Sequence, residues 1–204
     1  MKKSIYLLLV FTMLFCLCSC GGAKAEDLIG TYKSCSMFLD NTYTLNENGT
    51  FDKEPNMKGT YETSSKNGFK LSENNSSHEE VFAKEGDYYY RTNLICCFET
   101  DDEYGLEVSF DSNGRSNQSF TANYDTIDQS SMLVNKLGLI LNEDGTYKLN
   151  DMQVYITQGE VVKKDTYEGT YKFENDILWL NNDGNDYPML LIDGKLYFDV
   201  LEKV

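Results

Sequence analysis

Two stretches of the sequence have nearly the same pattern, and the pattern is that of a β-hairpin. Leu139–Leu149 reads LILNEDGTYKL, and Tyr43–Lys53 reads YTLNENGTFDK. In both, apolar and polar residues alternate up to an Asn-Glu-Asx-Gly turn, and Thr with an aromatic residue begins the return strand. Alternation with a period of two places the apolar side chains of a strand on one face. The sequence therefore predicts two hairpins, each with one apolar face.

The turn residues also predict the register of each hairpin. If the turn is of type I and Gly145 takes the left-handed conformation, Leu141 faces Tyr147. The same register pairs Leu45 with Phe51 in the other hairpin. A two-residue turn would instead bring a lysine onto the apolar face, so the three-residue loop with a glycine bulge is favoured.

The hairpins belong to a longer internal repeat, in which matching segments recur in the same order. The matches are Ser36–Asp40 with Ser131–Asn135, the two hairpins, Lys58–Glu62 with Glu168–Lys172, Leu71–Asn74 with Leu180–Asp183, and Glu85–Tyr90 with Asp193–Phe198. The offset grows after the second hairpin, which locates an insertion at Met152–Asp165 that lengthens a hairpin. We expect two copies of one β-meander, at residues 28–95 and 123–204, with a joining hairpin at 96–122.

Composition supports an all-β fold. The chain has 15 Tyr and 11 Phe but only 2 Pro, and Gly, Asn and Asp separate its short apolar runs. Gly-Thr-(Tyr/Phe) begins at positions 30, 49, 59, 145 and 169. Such a tripeptide is typical of a strand start, where the glycine permits a bulge and the ring covers the core.

The N-terminus has the features of a processing signal rather than of a fold. Lys2 and Lys3 precede the apolar run Ile5–Leu17, which is too short to span a bilayer. The following Leu-Cys-Ser-Cys-Gly resembles the lipobox of bacterial lipoprotein precursors, with Cys20 as the acceptor. The resemblance implies a signal peptide at 1–19 and a tether at 20–27. It also implies a lipid anchor on Cys20 that holds the protein at the extracytoplasmic face of a cell membrane or outer membrane.

Short strands, repeated Gly-Thr-Tyr starts and Asn-x-Asx-Gly-Thr turns behind a lipobox resemble the bacterial lipocalin-like lipoproteins. The resemblance implies antiparallel meanders that curl into a lipocalin-like barrel or into two half-barrel lobes.

The charge excludes one class of partner. The formal charge is −15, and removal of residues 1–19 takes away two lysines and no acid, which gives −17. Such a body repels phosphate backbones, so no nucleic acid is expected as a partner.

Three cysteines remain beyond the anchor. If the first meander curls up, its first and last strands become neighbours, and Cys35 could form one disulfide with Cys96 or Cys97. Three free thiols are the alternative. Adjacent Cys96 and Cys97 lack the two-residue gap with which two thiolates reach one zinc ion, so no metal site is expected.

No catalytic motif or cofactor-binding motif is recognisable, so neither an enzyme nor a cofactor is expected. His78 lies in a polar loop and is expected to be solvated. Tyr88, Tyr90, Tyr104 and Trp179 are candidate contacts for a ligand or partner. The alternative for the Tyr88–Tyr90 run is packing, with two rings on one strand face and one on the other.

These expectations point to a membrane-anchored, non-catalytic binding module for a small ligand, peptide or glycan. The alternative is a structural or protein-interaction component of the cell envelope without a ligand cavity. A cluster of buried, converging acids would favour an enzyme instead.

Overall fold

The computed structural model describes residues 23–37, 39–93, 97–100, 110–117, 119–128, 133–155 and 161–204. The predicted signal peptide, Cys20, Cys96, Tyr104 and much of the predicted joining hairpin lie outside these residues. The predicted all-β fold of antiparallel meanders is confirmed, since the only helix among the described residues is the four-residue α1 (Ala25–Leu28). In the part of the chain described, no helix has the length and apolar character needed to cross a bilayer.

The strands follow in chain order. The first eight are β1 (Gly30–Ser34), β2 (Thr42–Leu45), β3 (Thr50–Lys53), β4 (Met57–Thr63), β5 (Phe69–Glu73), β6 (Glu79–Glu85), β7 (Tyr88–Arg91) and β8 (Cys97–Thr100). The remaining eight are β9 (Ser119–Asp128), β10 (Leu133–Leu141), β11 (Thr146–Tyr155), β12 (Val161–Glu174), β13 (Ile177–Asn182), β14 (Asn185–Ile192), β15 (Lys195–Tyr197) and β16 (Val200–Lys203).

The strands form two closed antiparallel barrels that exchange their last strands. In barrel 1, β1 to β7 pair in sequence, and β16 closes the ring between β7 and β1. In barrel 2, β9 to β15 pair in sequence, and β8 closes the ring between β15 and β9. Each set of eight consecutive strands therefore contributes seven strands to one barrel and its eighth strand to the other.

This exchange corrects the reasoning behind the predicted disulfide. The first and last strands of the first meander are not neighbours, because β16 lies between β1 and β7. Cys35 follows β1 and is a free thiol, whereas Cys97 begins β8 in barrel 2.

Both predicted hairpin registers are confirmed. Leu141 pairs with Tyr147 across β10 and β11, and Leu45 pairs with Phe51 across β2 and β3. The turn glycine has the expected left-handed conformation, with φ of +84° at Gly145. The predicted lengthening is also present, since β11 and β12 have 10 and 14 residues where β3 and β4 have 4 and 7.

Aromatic side chains fill the interior of barrel 1. The ring centroids of Tyr32 and Phe69 lie 5.0 Å apart, as do those of Phe69 and Phe82 and those of Tyr32 and Tyr89. Leu28, at the end of α1, is also buried in this cluster, and its carbonyl accepts a hydrogen bond from the hydroxyl of Tyr32 (2.7 Å). The rings pack at contact distance, so barrel 1 has a solid core.

A separate core of leucine, tyrosine and methionine side chains occupies barrel 2. A third buried cluster lies where the barrels meet and contains Ala83, Tyr90, Leu190 and Val200. Ala83 and Tyr90 come from β6 and β7 of barrel 1, Leu190 comes from β14 of barrel 2, and Val200 comes from the exchanged β16. The two halves of the chain therefore share this core.

Candidate functional site

The Tyr88–Tyr90 run lies on the barrel 1 wall that meets barrel 2. Tyr89 packs in the core of barrel 1, whereas Tyr88 and Tyr90 belong to the junction cluster. The predicted division of two rings on one strand face and one on the other is therefore confirmed.

Tyr88 and Trp179 meet across the junction. Their ring centroids are 6.4 Å apart with an interplanar angle of 71°, an edge-to-face arrangement that aromatic pairs favour. Both side chains are half-buried. Trp179 points outward from β13 because its neighbours Leu178 and Leu180 point into the core of barrel 2.

Two grooves flank this pair. The first has a volume of about 320 Å³ and is lined by Ser34–Ser36, Tyr88, Trp179, Asn185–Pro188 and Glu202. The second has a volume of about 350 Å³ and is lined by Glu85–Tyr88, Asn175–Ile177 and Leu190–Ile192. Tyr88 borders both grooves, and together they are the junction cleft. Two of the candidate contact residues from the sequence therefore lie side by side in one concave site.

The other candidate contact residues are placed differently. Tyr90 is 1% exposed, and its ring packs edge to face on Tyr197 at 4.8 Å, so a ligand in the cleft would not reach it. Its hydroxyl lies 3.3 Å from the Lys66 ammonium. Tyr104 lies outside the described residues.

Cys35 borders the first groove as an uncharged thiol. Burial and the neighbouring Glu202 carboxylate raise the pKa of Cys35 to about 11. The backbone N–H of Cys35 donates to the carbonyl of Val200 (2.8 Å), which ties this segment to β16. Since the thiolate is the reactive form, the high pKa makes Cys35 a weak nucleophile at neutral pH.

Sequence reasoning missed a cluster of buried charges from β3, β6, β7 and the connection that precedes β16. Glu80 Oε1 lies 2.9 Å from Lys53 Nζ and 3.5 Å from Arg91 Nη1. The same Arg91 nitrogen lies 3.5 Å from Asp199 Oδ2. The carboxylate side chains are 3% and 0% exposed, so an external substrate would reach neither. The cluster links the exchanged strand to the wall of barrel 1.

The two carboxylates have opposite pKa shifts. Burial raises the pKa of Glu80, but Arg91 and Lys53 outweigh it and hold the pKa below its usual range. Burial raises the pKa of Asp199 to about 6, because Arg91 only partly offsets it and the Glu80 charge adds to it. His78, expected to be solvated, is half-exposed, and its Nε2 lies 3.5 Å from Glu80 Oε1, a contact that the sequence did not indicate.

One sequence signal could have revealed part of this cluster. Glu80 and Phe82 are two residues apart on β6, so they share the inward face of the strand. A charged side chain on an apolar face is stable only with a buried partner. The partners come from distant parts of the chain, which no local pattern identifies.

No protein-family model matches the sequence, and neither a curated protein nor a solved structure is significantly similar to it. Among the described residues, no group of three or more His, Cys, Asp or Glu could hold a metal ion. The fold itself defines an all-β protein of two antiparallel barrels, consistent with the lipocalin-like architecture.

Proposed function

We propose that the protein is a lipoprotein anchored by Cys20 at the extracytoplasmic face of a bacterial membrane, where it acts as a non-catalytic binding module. The lipobox-like sequence supports the anchor. One observation carries the binding role: two half-buried aromatic rings from different barrels meet in the junction cleft.

The junction cleft suits a ligand better than the barrel interior does. In barrel 1 the rings pack at about 5 Å from one another, which leaves no room for a molecule between them. The cleft, in contrast, combines apolar rings with carboxylate and amide groups that can orient a ligand.

The packed interior of barrel 1 also favours a second candidate function. A structural or protein-interaction component of the cell envelope needs a rigid body and no internal cavity. This alternative predicts a stable complex with an envelope protein and no effect of small ligands on the junction cleft.

The fluorescence of Trp179 can test the binding role, because it is the only tryptophan in the chain. We expect a ligand in the cleft to change the emission of Trp179 with saturation. Tyr88→Leu keeps an apolar side chain but removes the ring, so it should weaken binding. Circular dichroism would verify that this variant folds. A ligand that binds equally well to Tyr88→Leu would contradict the proposed site.

The anchor is tested separately in a bacterial host fed with a fatty acid that carries an alkyne group. We expect the protein to incorporate the label and to fractionate with membranes. Cys20→Ala should abolish both, whereas Cys18→Ala should abolish neither. Labelling that persists in Cys20→Ala would overturn the anchor assignment.

A further inference from the structure

Resting on the proposed binding role, we infer that the junction cleft binds an extended, basic polypeptide segment. The shape of the cleft gives the first argument. The first groove borders the start of β14, and the second groove borders its end. Since β14 has 8 residues at about 3.3 Å each, the cleft runs for roughly 25 Å. That length fits an extended segment of about seven residues better than a compact small molecule.

Charge gives the second argument. Five carboxylates line the two grooves: Glu85, Asp87 and Asp176 in one, and Asp186 and Glu202 in the other. In the part of the chain described, none of the five forms an ion pair, whereas acids elsewhere on the barrels do. Examples are Asp52 with Lys58 at 2.9 Å and Glu168 with Lys148 at 2.9 Å. The described linings of the two grooves therefore contain five acidic side chains and no lysine or arginine, on an already acidic protein, and a cationic partner complements them.

The aromatic pair gives the third argument, because electron-rich ring faces attract ammonium and guanidinium groups. Lys172 Nζ already lies 5.6 Å from the centroid of the Trp179 ring, and it is held from the side by Glu174 at 3.0 Å. This contact is a local example of the interaction that a lysine or arginine of the partner would make with the exposed parts of the two rings.

The side chains of the cleft determine how the segment is recognised. Strand β13 is paired on both sides, and β14 is paired with β13 along its length but with β15 only at Leu190–Ile192. The features of the cleft that favour a basic segment are carboxylates and rings, so recognition depends on the charge of the partner's side chains and on their reach over the rings.

The test is a titration of the full-length protein, followed by Trp179 fluorescence, with three heptapeptides of alternating composition: Lys-Ser, Gln-Ser and Glu-Ser. We expect saturable binding of the lysine peptide only, with an affinity that falls as salt is added. Glu85→Gln/Glu202→Gln removes one charge from each groove and should weaken binding about three- to tenfold. The matched control, Glu47→Gln/Glu54→Gln, removes two exposed charges that line neither groove and should leave the affinity unchanged.

Other outcomes separate this inference from the proposed function. If the glutamine peptide or a neutral oligosaccharide binds in a Tyr88-dependent manner and the lysine peptide does not, the cleft is a binding site but the basic ligand class is wrong. If both double variants weaken the lysine peptide equally, the attraction is general and the inference fails. If none of the probes alters Trp179 emission, both this inference and the proposed binding role are wrong.

Discussion

Asp199 shows how one residue can link stability to pH in this fold. It lies in the short connection between β15 and β16, it is fully buried, and its nearest charged groups come from three other strands: Arg91 on β7, Glu80 on β6 and Lys53 on β3. The backbone N–H of Arg91 also donates to the carbonyl of Asp199 (3.0 Å), so the residue is held on both its main chain and its side chain.

We predict that Asp199→Asn makes the protein more stable at pH 8 and flattens its stability between pH 5 and 8. The pKa of Asp199 is about 6 in the fold against an ordinary value of 3.8, so the folded state holds the proton more tightly. The stability that comes from this proton is fully present below pH 3.8 and is lost as the pH rises through 6. The difference between the two pKa values corresponds to about 3 kcal/mol in the free energy of unfolding.

Chemical denaturation of both proteins across this pH range would measure the effect, with the exposed Asp40→Asn as control. Glu80 acts in the opposite direction, because its pKa is lowered and its contribution is lost only as the pH falls below the ordinary value of 4.5. A parallel pH profile for the variant and the wild type would show that Asp199 does not carry the pH dependence.

Tyr171 and Tyr61 occupy equivalent positions in the repeat and provide a matched pair. The Tyr171 hydroxyl accepts from the backbone N–H of Ser116 (2.7 Å) and lies near the carbonyl oxygens of Ser116 (3.0 Å) and Asn142 (2.9 Å). Among the described residues, the Tyr61 hydroxyl donates to the carbonyl of Asn46 alone (2.9 Å), and Asn46 is the counterpart of Asn142. Tyr171 thus makes a contact with Ser116 that Tyr61 has no counterpart for, and this contact attaches the loop at 110–117 to barrel 2.

We predict that Tyr171→Phe lowers the free energy of unfolding by about 1–3 kcal/mol, because it leaves buried polar groups of the main chain without a partner. Tyr61→Phe should cost about 1 kcal/mol or less, since Tyr61 is half-buried and water can replace its hydroxyl. Urea denaturation measures both, and hydrogen exchange should show the amide of Ser116 deprotected only in the first variant. Equal losses in the two variants would count against this account of the loop.

At the scale of elements, two glycines allow strands of the same barrel to approach closely. A Cβ at Gly59 would overlap the carbonyl oxygen of Ser72 and lie 2.6 Å from the Phe51 ring. A Cβ at Gly169 would likewise overlap the carbonyl oxygen of Asn181. Both glycines belong to a Gly-Thr-Tyr tripeptide, so this motif marks a point where the neighbouring main chain leaves no room for a side chain.

We predict that Gly169→Ala destabilises the protein by at least about 2 kcal/mol, because the neighbouring strand would have to move. Gly138→Ala is the control within the same barrel: a Cβ there meets no atom within 4 Å, so the change should be within about 0.5 kcal/mol or slightly stabilising. Thermal unfolding of the two variants compares them directly. If Gly138→Ala were as harmful, overlap with the neighbouring main chain would not explain the loss in Gly169→Ala.

The elements also show how far sequence reasoning extends. The hairpin registers were predictable because turn chemistry and alternation lie within about ten residues of each other. The exchange of β8 and β16 was not predictable, because each follows a run of seven meandering strands and either could close either barrel by pattern alone. The Tyr88–Trp179 contact depends on that exchange. Both residues could therefore be selected as candidates from the sequence, but the cleft between them could not.

At the scale of the whole molecule, the exchange joins the two barrels through their cores. Leu201 on β16 is fully buried in barrel 1, whereas Phe198, three residues earlier, is buried in the core of barrel 2. The two residues between these positions, Asp199 and Val200, are also fully buried, so no exposed linker separates the two cores. Unfolding of barrel 1 must therefore disturb the end of barrel 2.

We predict that the two barrels unfold in one cooperative transition. Leu201→Ala should cost about 2–5 kcal/mol through a cavity in barrel 1. Although Trp179 lies in barrel 2, its fluorescence midpoint in urea should fall together with the loss of hydrogen-exchange protection in β4 and β5 of barrel 1. Glu202→Gln, an exposed change on the same strand, should leave both signals unchanged. If the Trp179 midpoint stayed at its wild-type value in Leu201→Ala, the barrels would be independent units, and the exchanged strands would connect them without coupling their stability.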